Sequence, residues 1–360
     1  MNMITRSYTM RFLTPAFLGD AEQNGAWRTP PFKALLRQWW RVAVAANCGF
    51  NVDTLREREA ALFGSAADGK GTRSLIRLRL GRWDEGKLKG WDRLEQRVVH
   101  HPEVQRTQYK IGPHAYLGYG PLDGRGGTKF SKATAAIQYD EKAEFKLAWP
   151  ESAREIELAS LSAISTALWL MDRYGTLGGR SRNGWGSFAL TPTDDTPVLS
   201  GPLQAGLVQD WTAALNLDWP HAIGTDGEGK PLIWDTGPQT DWKTAMKRLA
   251  EIKIGLRTQF KFISGRNAAQ AEERHWLSYP VTNHNVAAWR EGGKGDFRLP
   301  NSLRFKVRHG ADGKLRGVIF HVPCKPPQQF SPDLNVIKGV WQKVHTYLDA
   351  PAQELSRIPE

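Results

Sequence analysis

Hydrophobic and polar positions alternate in TRSYTMRFL (residues 5–13), and the alternation stops at Thr14-Pro15, which predicts a strand leaving its sheet at that point. The period then changes. In FKALLRQWWRVAVAA (32–46), Leu35, Leu36, Trp39, Val42 and Ala43 fall on one arc at about 100° per residue, with Lys33, Arg37 and Arg41 along another. This predicts a helix with a buried side and a basic stripe, and Pro30 and Pro31 suit its start. LREREAALFG (55–64) predicts a short second helix, while RSLIRLRLGRW (73–83) alternates Arg with Ile or Leu, as a strand with one wet, cationic face would. AEFKLAWP (143–150) predicts a strand, residues 154–175 a long helix stopped by Gly175, and GWGSFAL (184–190) a further strand. The order strand, helix, strand, strand, helix, strand is that of the ferredoxin-like, or split βαβ, unit.

TPTDDTPVLSGP (191–202) is rich in turn formers and reads as a linker. It divides the chain into a first domain, 1–190, with an insertion at about 84–140, and a second, more irregular α+β half, 203–360. In the insertion, IGPHAYLGYGPLDGRGGTKFSK (111–132) is too long for a plain turn and is expected to be an added arm or a partner-binding segment. The second half should hold a helix at 242–256, a hairpin turning at Asp312-Gly313 and a last helix in NVIKGVWQKVHTYLDA. No sequence repeat relates the two halves.

Charge narrows the choice of partner. Of 360 residues, 49 are Lys or Arg against 37 Asp or Glu, a formal charge of +12 that favours polyanions such as nucleic acid or an acidic membrane surface. Fifteen tryptophans tilt this toward nucleic acid, because flat side chains beside cations can stack on unpaired bases, although most tryptophans in a folded chain belong to its core. The longest apolar run, LASLSAISTALWLM, is interrupted by Ser and Thr and is shorter than the ~20 residues of a membrane span. The first residues carry no signal-peptide run, and Cys48 and Cys324 belong to no CxxC pair, so a cytoplasmic protein without membrane partner, disulfide framework or zinc knuckle is expected.

The segment YGTLGGRSRNGWGSF (174–188) carries the densest chemistry. Its glycines permit left-handed dihedrals and close backbone approach, and successive amides in such a loop can converge on an anion. Arg180 and Arg182 would supply charge for phosphates, Asn183 a contact to a base edge or 2′-hydroxyl, and Trp185 a stacking face. The plain alternative is a glycine-rich turn whose arginines face water, and Lys33, Arg37 and Arg41 have the parallel alternative of a solvated helix side. What favours the stripe as a site is that it has no acidic partners at i+4. Neither GxxxxGK[ST] nor GxGxxG is present, and the segment lies helix-loop-strand, the reverse of what nucleotide-cofactor motifs need. A metal-independent ribonuclease could use His100, His101 or His114 as general base, but nothing in the sequence fixes their mutual geometry. His275 and His284 lie in no recognised ligand spacing.

LTPAFLG (13–19), WRTPPFKALLRQWWR (27–41), LREREAALFGS (55–65) with the Arg-alternating strand after it, and GTLGGRSRNGWGSF together resemble the RAMP superfamily of type III CRISPR systems. Within it they are most similar to the first-subunit family of the type III-B, or Cmr, RNA-guided effector complex, whose C-terminal half HWLSYPVT and LPNSLRFKV also resemble. The resemblance implies two ferredoxin-like (RRM-like, βαββαβ) domains in tandem, no cofactor, and no catalytic or metal-binding residues. It also implies a place in antiviral defence at the 3′ part of the guide RNA and the start of target pairing, among other Cmr-type subunits. Matching motifs carry RNA contact onto Lys33, Arg37 and Arg41 and onto Gly178, Gly179, Arg180, Ser181, Arg182, Asn183 and Trp185. A guide-processing endoribonuclease of the same superfamily and a protein-bridging scaffold are the alternatives. The second half departs from the pattern in holding no full copy of the glycine loop, SGRNA (264–268) being at most a fragment.

Overall fold

A computed structural model describes residues 2–20, 24–66, 71–91, 98–103, 112–124, 128–131, 135–151, 158–290 and 297–359. The first part runs β1 (Met3–Phe12), α1 (Thr29–Val44), α2 (Val52–Phe63), β2 (Arg77–Leu80), α3 (Pro113–Gly118), β3 (Leu122–Asp123), β4 (Lys129–Phe130), β5 (Lys142–Pro150), α4 (Leu158–Tyr174) and β6 (Phe188–Thr193). Next come β7 (Val208–Asp210), α5 (Trp211–Ala214), β8 (Ile223–Thr225), β9 (Ile233–Gln239), α6 (Trp242–Thr258), β10 (Asn267–Ala268) and β11 (Asn285–Val286). The chain ends with β12 (Leu303–His309), β13 (Leu315–His321), α7 (Leu334–Asp349) and β14 (Ser356–Arg357).

Two four-stranded antiparallel sheets organise this α+β chain, ordered β2-β5-β1-β6 and β12-β13-β9-β14. Counted by position within each half, both follow the same order, second, third, first, fourth. Alternation decides which face each strand buries. Tyr8, Met10 and Phe12 of β1, Phe145 and Leu147 of β5 and Phe188 of β6 point to one side of the first sheet and are buried there with α1 and α4. Phe320 of β13 lies 6.3 Å from Trp39 of α1 and 5.0 Å from Tyr174 of α4, ring centre to ring centre, so the second sheet packs on the outer side of those helices. Its opposite face meets α6 and α7, where Trp234 of β9 stacks 5.9 Å from His345. The layers therefore run sheet, helices, sheet, helices, and six consecutive residues of β12, Leu303 to Arg308, are buried.

Several sequence expectations shift at their edges. The strand expected at 73–83 pairs only over Arg77–Leu80, and β6 extends into the expected linker, with the residues before Phe188 forming turns. The long helix is described from Leu158, and its expected start at 154–157 lies outside the described residues. The helix at 242–256 and the hairpin turning at Asp312-Gly313 appear as α6 and β12-β13, with Gly313 at φ +73°. In the glycine-rich insertion, α3 and the β3-β4 ribbon fold back onto the protein, with Leu117 and Leu122 buried.

Candidate nucleic-acid interface

Gly175 ends α4 with its amide on the Met171 carbonyl, and an antiparallel bridge between Thr176 and Ser187 closes the glycine loop at its base. Gly186 sits at φ +65°, where a Cβ would fall 1.9 Å from the Leu177 carbonyl oxygen, so only glycine fits that closure. The amides of Gly179 and Gly186 donate to Phe17 O (2.9 Å) and Pro15 O (2.8 Å), and those of Asn183 and Gly184 to Arg180 O and Ser181 O within the loop. Those four amides are therefore taken by protein carbonyls.

The loop's side chains divide into inward and outward groups. Trp185 has no exposed surface and packs among Phe17, Trp91, His114 and Trp242, with ring centres 5.0 to 6.2 Å away. Asn183 is held at both ends: its Nδ2 donates to Leu117 O at 2.8 Å and its Oδ1 accepts from Lys253 Nζ at 2.5 Å. Arg182 donates to Asn301 O at 3.1 Å, while its own carbonyl accepts from the Phe305 amide, tying the loop to β12. Gly178, Gly179, Arg180 and Ser181 form the outward part, with Gly178 and Arg180 exposed.

Behind that outward part lies a cationic cluster that sequence reading missed. Lys253 and Arg257 of α6 are one turn apart, and the charges of Arg257 and Arg180 act on Lys253. Burial, reinforced by those two arginines, drives the Lys253 ammonium well below its ordinary value. Arg180 is itself lowered by burial and then by Arg298. Among the described residues Arg180 and Lys253 have no carboxylate within ion-pair distance, and Arg180 and Arg298 are the two of these basic side chains that are exposed. The available signal was the spacing of basic residues in KRLAEIKIGLR, which reads equally as a solvated helix side.

The α1 stripe has a different environment. Arg37 Nε meets Glu59 Oε1 at 2.5 Å, and Arg41 Nε meets Glu59 Oε2 at 2.7 Å with a second bond at 2.8 Å. Burial pushes the Glu59 carboxyl upward, but the hydrogen bonds from Arg41 and Arg37 prevail and hold it below the ordinary carboxylate value. Lys33 donates to Phe63 O at 3.1 Å, the C-terminal carbonyl of α2. The stripe thus docks α2, while leaving Arg37 and Arg41 about two-fifths exposed, at 37% and 43%, and Lys33 and Arg37 line a groove of about 350 Å³ with Pro30, Ile76 and Leu78. Its contacts end on α2, whereas those of the loop end on Phe17, Leu117, α6 and β12.

Of the histidines considered as bases, His114 is buried with Nε2 3.3 Å from Lys243 O, and His101 packs 5.7 Å from Tyr116 with its pKa lowered by burial. His275 is buried and accepts the Glu272 amide in a capping box. No group of three or more His, Cys, Asp or Glu able to hold a metal occurs among the described residues, and no helix there is long and apolar enough to cross a membrane.

An α+β chain with paired antiparallel sheets, a glycine loop directly after α4 and basic side chains gathered beside it defines a class of basic, loop-bearing fold. Residues 9–189 match the family model of the RAMP superfamily, and the chain belongs to that superfamily. Among solved structures it is similar to Cmr1 from Pyrococcus furiosus in its apo form, at 14% identity and TM-score 0.46, with 96% of this chain and 97% of that one covered. It is also similar to a chain of the type III-B Cmr-beta complex bound to cognate target RNA, at 11% identity and TM-score 0.47, covering 95% and 100%. A chain of a type IV-B CRISPR complex is similar over 56% of this protein and 96% of its own length, at 14% identity and TM-score 0.33. No curated protein sequence matches.

Proposed function

We propose that this protein is a non-catalytic, RNA-binding subunit of a type III-B CRISPR effector complex, contacting the 3′ part of the guide RNA, the target RNA, or both. RAMP membership supports this reading, as does the formal charge of +12. The observation that carries it is the exposed pair Arg180 and Arg298 at the glycine loop, with Lys253 held behind them on Asn183 Oδ1 and no carboxylate within ion-pair distance of Arg180. Such a pair suits a phosphate backbone, with the exposed Gly178 beside it. The common strand order supports two ferredoxin-like units in tandem, divided after β6 within the expected 191–202 linker. Other Cmr-type subunits are the expected neighbours. The burial of His114 and the packing of His101 favour binding over cleavage.

Arg180 and Arg298 are both exposed, so R180A/R298A tests the site with little effect on folding. The double variant should bind single-stranded RNA about tenfold more weakly at low salt, and the slope of log K against log salt should fall by about 1.4, at ~0.7 per lost phosphate contact. An unchanged slope rejects the assignment.

A further inference from the structure

We propose that the face of the first sheet turned away from α1 and α4 is a second binding surface for single-stranded RNA, built from Arg77, Arg79 and Trp83 on its edge and Lys142 and Lys146 beside them. Register places these groups together. Arg79 pairs with Lys146 and Arg77 with Ala148, on the side opposite the buried Phe145 and Leu147. The next strand adds Thr5, Thr9 and Arg11 to the same face, through Arg11 opposite Lys142, while Ser7 opposite Lys146 is buried.

β2 is an edge strand, and the Gly81 amide donates to Glu144 O at 2.8 Å before the chain bends. Arg82 then turns toward the core side, its guanidinium 5.3 Å from the Trp27 ring centre. Trp83 follows at 60% exposed, the most exposed tryptophan among the large hydrophobics left in solvent. Arg77 and Arg79 thus line one edge about 6.7 Å apart, on the scale of neighbouring phosphates in an extended strand, with the exposed Trp83 four residues beyond Arg79.

Charge selects the occupant. Glu144 on this face pairs with Lys146 at 2.7 Å, and Asp140 beside it pairs with Arg11 at 3.0 Å. Arg77 and Arg79 are exposed and have no carboxylate partner among the described residues. An exposed indole next to unpaired guanidinium groups on a flat, polar sheet offers a base a stacking face and its phosphates counter-charges, whereas a protein partner would be expected to meet a more apolar core. The proposal rests on the RNA-binding reading for the nature of the polyanion, but it does not require the glycine loop to be the site.

The test uses the full chain and a labelled single-stranded oligoribonucleotide, with R77A/R79A and W83A compared with wild type and with R180A/R298A. R77A/R79A should lower the salt slope by about 1.4. W83A should weaken binding by about 5- to 150-fold with the slope unchanged, as loss of one stacked base predicts. Both losses should persist in the R180A/R298A background, and ultraviolet crosslinking should join RNA to the peptide holding Trp83. Unchanged affinity and slope in R77A/R79A and W83A overturn the proposal, as does a defect confined to assembly with other subunits. Losses in these variants with none in R180A/R298A support the sheet face and remove the loop assignment instead. All three side chains are exposed, so an unchanged thermal midpoint controls for folding.

Discussion

Glycine 186 illustrates how little room the loop leaves for a side chain. A methyl there would meet the Leu177 carbonyl at 1.9 Å on a backbone already at φ +65°, so Gly186→Ala should lower the unfolding free energy by about 2–4 kcal/mol, read from urea denaturation. Gly49, at φ +57° with open space around it, should tolerate alanine with about 1 kcal/mol or less. Glu59 is the equivalent single residue for α1. Its carboxylate joins Arg37 and Arg41, and Glu59→Ala should cost about 1–3 kcal/mol through lost hydrogen bonds at a buried position. Because the folded state holds Glu59 below its ordinary 4.5, that contribution is present above pH 4.5 and lost as pH falls through the folded value. The acid limb of the stability curve should therefore flatten in the variant. The basic stripe was legible in the helical period, but its acid partner was not, since Glu59 lies 18 residues beyond Arg41 and the i+4 rule cannot reach it. Trp185 shows the reverse difficulty: a tryptophan among glycines and arginines looks available, yet the loop turns its ring inward.

Two strands with the same alternating pattern end in opposite environments. In β2, RLRL leaves Arg77 and Arg79 in water, whereas in β12, LRFKVRH buries Arg304, Lys306 and Arg308 against α1 and α4. The period was readable in both, but only the packing of the second sheet on those helices decides which face is wet. Lys306 shows what makes the burial tolerable, since its ammonium donates to the carbonyls of Met171, Asp172 and Gly175 at the negative end of α4. β9 escaped the sequence reading because LIWDTGPQ carries Gly237 and Pro238, which resemble a turn, although both lie past the residues that pair with β14. The α7 contact yields a pH prediction. His345 is pushed down to about 3 by burial and the Arg357 charge, and His321, 3.0 Å away, is lowered well below 6.5. The unfolded chain binds those protons from pH 6.5 downward while the folded one does not, so stability is full above 6.5 and falls on acidification, by up to about 1.4 kcal/mol per pH unit for each group. His345→Phe should remove about half of that slope between pH 6.5 and 5, measured by urea midpoints.

At the scale of the whole molecule, the alternation of sheet and helix layers makes the halves dependent on each other. The second sheet has helices on both faces, so residues such as Trp39, Tyr174 and Phe320 would be bared by separating it from α1 and α4. Contacts also cross between the halves at the backbone level: the Phe305 amide bonds Arg182 O at 3.0 Å, and the Val307 amide bonds Ser187 Oγ at 2.9 Å. Lys306 completes the join by holding the end of α4 from β12, so its loss acts on an element of the first half through a residue of the second. Lys306→Met would take the ammonium donor from the carbonyls of Asp172 and Gly175, the Met171 carbonyl keeping the Gly175 amide, a cost of about 1–3 kcal/mol for each that finds no water. If the halves fold as one cooperative unit, that cost must appear everywhere. Native-state hydrogen exchange should show amides of β1 and β5, which do not touch Lys306, losing protection by the same free energy as those of β13. Circular dichroism and tryptophan fluorescence should report a single coincident urea transition, shifted to lower denaturant. Loss confined to β12, β13 and the end of α4, or two separated transitions, would instead mean that each sheet with its own helices is a stable unit and that the shared layer merely brings them together.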